Sequence, residues 1–116
     1  IANHHAYLNA MGHSFLMATR PRVHIIQASC PTHPSPNSLA GMLSTQVYPG
    51  PRDVFSTSIM EEATVAIGPT IDKLKSQQGH IVVRVSPGGD TYMIYILDDS
   101  TEEFKVTAVH GPYNSN

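Results

Sequence analysis

The sequence predicts an α+β protein in which one main helix packs on a C-terminal antiparallel sheet, a meander of at least three strands, behind a loop-rich N-terminal half. Three observations carry this. From His80 onward, apolar residues alternate in period two between turn signals. Between residues 60 and 74 they recur instead at steps of three and four, the period of a helix face. Before that, Pro31, Pro34, Pro36, Pro49 and Pro51 crowd residues 31–53, where most of the chain must be extended or turning.

The elements follow in order. Ala6, Tyr7, Leu8, Ala10 and Met11 suit a short helix, while residues 15–18 and 23–26 read as strands on either side of Pro21. The proline-rich segment leaves room for one short helix over residues 38–45. Met60, Ala63, Ile67, Ile71 and Leu74 form the apolar stripe of the main helix, and Ser58 with Glu61 has the spacing of a capping box. Gly68-Pro69 should kink or split this helix. Lys73 and Lys75 suit its C-terminal dipole, and Gly79 is a candidate terminator.

In residues 79–113, GHIVVRVSPGGDTYMIYILDDSTEEFKVTAVHGPY, three strand-like runs are separated by two turns. His80, Val82 and Arg84 face one way, and Ile81, Val83 and Val85 the other. Ser86-Pro87-Gly88-Gly89-Asp90 is a turn by composition. Thr91 begins TYMIYIL, which is apolar on both faces, as expected of a central strand. Asp98-Asp99-Ser100-Thr101 turns the chain again, and EFKVTAVH places Phe104, Val106, Ala108 and His110 on one side.

At 116 residues, 41% hydrophobic and 14% charged, the chain reads as a single domain over residues 1–116 that can bury a core without staples. Its net charge of −2 offers no global attraction for a polyanion, so RNA would have to be held by a local patch. Seven histidines raise that charge as the pH falls past their reference pKa of about 6.5. The one cysteine, Cys30, excludes an internal disulfide and a Cys-rich zinc site. No apolar run approaches the roughly 20 residues that cross a bilayer, so no membrane partner is expected. No signal peptide is visible, and a start at Ile1 is compatible with a removed secretion signal.

Histidines carry the candidate chemistry. His110 closes the last strand, where an imidazole at the mouth of a concave sheet can act as general acid or base; the ordinary alternative is a half-buried histidine with a local hydrogen bond. His80 and Arg84 share a face of the first strand, so His80, Arg84 and His110 would supply base, cation and acid for phosphate chemistry if they converged. The alternative is the polar edge of a half-exposed sheet. His4, His5 and His13, with His24 and His33, invite a metal reading, yet adjacent histidines diverge in either helix or strand and no established ligand spacing is present. No metal and no cofactor are therefore expected. Cys30 has no base or activating charge nearby in sequence and reads as a spectator. Gly88-Gly89 is explained by a hairpin turn and lacks the Lys-Ser/Thr of a phosphate loop.

With Ser86-Pro87-Gly88-Gly89-Asp90, then Thr91, a hairpin, and a strand ending on His110, the last third of the chain resembles the small microbial ribonucleases, the barnase and guanyl-specific fungal group. The resemblance implies a catalytic histidine at His110. Where it implies a phosphate-binding arginine this chain has Thr91, and nearest the expected catalytic glutamate it has His80. A fold retained with its catalytic set lost resembles the ribonuclease-like secreted effectors of powdery mildew fungi. At the place of their aromatic-x-Cys start this chain has Tyr7-Leu8-Asn9, with Asn for Cys, and the tail GPYNSN also lacks the partner cysteine, so both departures fall on the family's signature. That resemblance implies secretion, delivery into the host cytoplasm, binding of a host protein or RNA, and detection by a plant immune receptor. The leading expectation is a non-catalytic effector, leaning away from an enzyme. Its rivals are an active endoribonuclease using His80, Arg84 and His110, and a secreted pilin-like structural subunit.

Overall fold

A computed structural model describes residues 1–115 and is α+β, as the sequence predicts. Its contacts divide the chain into two compact units, Ile1–Gln77 and Gln78–Asn116.

In the first unit a 3-10 turn, Asn3–Ala6, precedes helix α1, His13–Thr19. Residues 15–18 were expected as a strand, but they lie inside α1. Leu16 is its buried residue, Phe15 and Met17 stay about half exposed, and the helix stops at left-handed Arg20 before Pro21, which cannot continue it. Strand β1, Val23–Ile26, is where the sequence places it. Helix α2, Pro36–Leu43, begins two residues earlier than expected because Ser35 caps it, its hydroxyl accepting the Ser38 amide, and Pro36 sits where a missing N–H costs nothing. Strand β2, Asp53–Ser56, was not foreseen: it pairs in parallel with β1 in the register Val23↔Asp53 to Ile26↔Ser56. The N-terminal half is loop-rich, as expected, and its loops connect a strand-helix-strand unit with its own core.

The main helix is shorter than its stripe. Helix α3 covers Glu61–Ile67 and gives way at Gly68-Pro69 to a 3-10 segment, Gly68–Lys73, so the predicted split occurs. Met60 is the N-cap residue and makes no side-chain cap bond, so the capping box of Ser58 and Glu61 does not form. The stripe joins a different core from the one expected. Ile71 and Leu74, with Ile67 against them, are buried among Leu16, Ile26, Leu39, Met42 and Val54, all residues of Ile1–Gln77. Burying side chains of this kind contributes roughly 1.5–3 kcal/mol each.

The second unit is the predicted meander. Strands β3 (His80–Val85), β4 (Thr91–Leu97) and β5 (Val106–Asn114) pair antiparallel in that order. His110 was expected to close the last strand, but β5 begins three residues later than expected and runs four residues beyond His110, because Tyr113 and Asn114 continue the ladder opposite Tyr92 and Thr91. Gly79 is not a helix terminator. At φ +120° it leads into β3, with its Cα so near the Leu97 carbonyl that an added Cβ would lie 2.6 Å from that oxygen. Strand β5 carries two irregularities of one extra residue, because Leu97↔Val106 is followed by Ile96↔Ala108 and Ile94↔His110 by Tyr92↔Tyr113. The first corrects the expected face of the strand. Thr107 is the extra residue, so Val106 falls on the opposite face from Ala108 and His110.

Candidate functional site

Register decides what the sheet can assemble. Residues directly paired across an antiparallel ladder point to the same face. Val83 pairs with Ile94, and Ile94 with His110, so these three share one face. His80 and Arg84 are three residues and one residue from Val83, and therefore project from the other. The imidazole of His110 and the His80–Arg84 pair are consequently separated by the sheet itself and do not converge. His80 is exposed and lies against the ring of Phe104, centroids 5.5 Å apart. Arg84 lines a shallow cavity of about 220 Å³ beside the β3–β4 turn, together with Thr91.

Thr91, which stands where the resemblance implies an arginine, is tied into that turn. Its hydroxyl donates to Ser86 Oγ (3.0 Å), its amide approaches the same oxygen (3.2 Å), and Ser86 Oγ donates to the Thr91 carbonyl (2.9 Å). These bonds close the hairpin and leave Thr91 a structural residue of the turn.

The N-terminal histidines separate into different environments. His4, His5 and Ala6 occupy left-handed backbone at φ +46°, +53° and +59°, a conformation that costs L residues roughly 1–2 kcal/mol each. The run is held by Ala2 donating to the Ile25 carbonyl, Ser35 donating to the Ala6 carbonyl, and His5 Nδ1 bonding the Gln27 carbonyl at 2.6 Å. It stacks His5 on His33 with centroids 4.8 Å apart, and Tyr7 meets the rings of His4 and His33 edge-on. Stacked rings do not aim two nitrogens at one ion. Among the described residues, no three His, Cys, Asp or Glu side chains are set to hold a metal. His13 stands apart at the start of α1, its ring close to Gly41. Cys30 Sγ lies 3.2 Å from Thr32 Oγ1.

His24 is 2% exposed and belongs to a buried network that sequence reasoning missed. Tyr48 donates its only hydroxyl proton to the Pro21 carbonyl at 2.7 Å, so at 2.8 Å it must accept from His24 Nε2–H. That proton count fixes the neutral tautomer and leaves His24 Nδ1 buried without a partner. Burial, and then the charge of Arg52, lowers the His24 pKa to about 4. Arg52 covers the Tyr48 ring with its guanidinium carbon 3.6 Å from the centroid, and donates to the carbonyls of Ser44, Tyr48 and Gly50. The only sequence clue was a β1 histidine next to Ile25-Ile26, which gives no hint of its tyrosine partner.

The largest cavity described lies beside this network. It holds about 540 Å³ between the loop carrying Arg52 and the segment carrying Lys73 and Lys75. At its rim Arg22 pairs with Asp53 at 3.1 Å. Among the described residues no helix is long and apolar enough to cross a membrane. No family model, curated protein or solved structure matches this chain.

Proposed function

We propose that this protein acts by binding and not by catalysis, as a secreted, ribonuclease-like effector whose partner is a host protein or RNA. The observation that supports the non-catalytic part is the sheet register, which puts His110 on one face and His80 with Arg84 on the other. Cleavage of RNA by this route needs a base at the ribose 2′-hydroxyl, an acid at the leaving oxygen and a cation at the phosphorane within one site. Thr91, held in the Ser86 turn, supplies no cation in place of the expected arginine. The effector part, with secretion and recognition by an immune receptor, rests on the resemblance carried by residues 79–113. The deciding assay incubates stoichiometric protein with mixed-sequence RNA. No cleavage is expected, and cleavage that disappears in His110→Ala would overturn the proposal.

A further inference from the structure

Three of the seven Lys and Arg residues of a chain with net charge −2 line one cavity, that of about 540 Å³ in the first unit. They are Arg52, Lys73 and Lys75, and they differ in what they can offer. Arg52 is immobilised, its two terminal nitrogens already donating to the carbonyls of Ser44, Tyr48 and Gly50. It therefore supplies a fixed positive field. Lys73 and Lys75 are exposed and, among the described residues, have no carboxylate in ion-pair range, so their ammonium groups retain donors for a ligand.

Two carboxylates share the cavity, and they define the ligand as much as the cations do. Asp53 is occupied by Arg22. Asp72 is exposed at the rim and has no cation within 4.0 Å among the described residues. A carboxylate there repels a second phosphate but accepts a hydrogen bond from a hydroxyl. Leu74 and Pro51 add apolar surface for an organic body. The volume falls within the roughly 300–1,000 Å³ usual for small-molecule sites.

We infer that this cavity binds a phosphomonoester of about mononucleotide size, its phosphate between Lys73 and Lys75 in the field of Arg52 and its hydroxyl-bearing body toward Asp72. The site stands on the cation cluster of residues 52–75 and is independent of the effector reading, which rests on residues 79–113.

Calorimetric or NMR titration at low salt with AMP, adenosine and inorganic phosphate tests it. AMP should bind and weaken as salt rises, and adenosine, which lacks the phosphate, should bind at least about tenfold more weakly. Lys73→Ala with Lys75→Ala should weaken AMP by about tenfold or more, while Lys105→Ala, which removes an exposed charge elsewhere, should leave it unchanged. Adenosine binding as tightly as AMP, an equal loss in Lys105→Ala, or no AMP binding at millimolar concentration would each overturn the inference. Phosphate binding as tightly as AMP would overturn the organic part of the assignment, leaving an inorganic anion site.

Discussion

In Ile1–Gln77 the large side chains of Leu16, Ile26, Leu39 and Met42 are wholly buried, whereas in Gln78–Asn116 Val82, Val83, Val85, Val106 and Val109 remain 41–58% exposed. Ile94, Ile96 and Tyr113 are the large buried apolar residues described in the second unit. The first unit is thus specified by side-chain packing, reinforced by the polar lock of His24, Tyr48 and Arg52. The second is specified by its backbone ladder, its two turns and its glycines. The difference teaches where chemistry can be read. On the sheet, the face of a residue follows from counting register. In the packed unit, it follows only from which distant side chains meet.

The largest effect expected from this contrast is on packing. Leu39→Ala removes a fully buried member of the first core and should cost about 3 kcal/mol or more in urea unfolding followed by far-UV CD. Val82→Ala, on the exposed sheet, should stay within about 0.5 kcal/mol. Similar losses at the two positions would break the comparison.

Acid tests the polar lock. His24 is held near pKa 4 in the folded chain, against about 6.5 when unfolded, so its neutral form is the one the fold accommodates. For a base with a depressed folded pKa, the unfolded chain binds the proton first. Stability from this group is full above pH 6.5, falls as the pH drops toward 4, and levels off below that. The loss amounts to about 3 kcal/mol. His24→Gln keeps a donor for the Tyr48 oxygen and has nothing to titrate, so its unfolding free energy should lose that part of the acid slope. An unchanged slope between pH 6.5 and 4 would remove His24 from the account.

The ladder is tested at its glycines. Gly79 and Gly88 both hold positive φ, but only at Gly79 would a Cβ meet backbone, 2.6 Å from the Leu97 carbonyl oxygen. Gly79→Ala should therefore destabilise by about 2 kcal/mol, clearly more than Gly88→Ala, where the space is open. Equal costs at the two positions would mean that φ alone, without the close approach of β3 and β4, sets the requirement.

Much of the second unit was legible because its determinants are local. Alternation, Ser-Pro-Gly-Gly-Asp and Asp-Asp-Ser-Thr mark three strands and two turns, and the first two strands form where those marks place them. What failed was the third strand: it starts at Val106 and runs on to Asn114 instead of spanning residues 103–110, so His110 lies inside it, and Thr107 inserts one residue and reverses the face of Val106. The candidate site failed for the same kind of reason: His80, Arg84 and His110 were placed on the right strands, but convergence depends on pairing that no single strand encodes. In the first unit, β2 was missed because a four-residue strand with three successive buried residues, following a proline-rich loop, carries no period. The cation cavity was missed because Arg52 and Lys73 stand 21 positions apart and meet only through the parallel pair and the segment that follows α3.

The sequence by itself determined the α+β class, the meander, the split at Gly68-Pro69 and the absence of an internal disulfide. Each follows from local period, local backbone restriction or simple composition. Tertiary structure alone decided that the helical stripe joins a core with β1, β2 and α2, that His24 is neutral beneath Tyr48, and that His110 faces away from Arg84. Those outcomes depend on side chains far apart in the chain competing for the same buried space and the same hydrogen bonds, and period and composition do not record that competition.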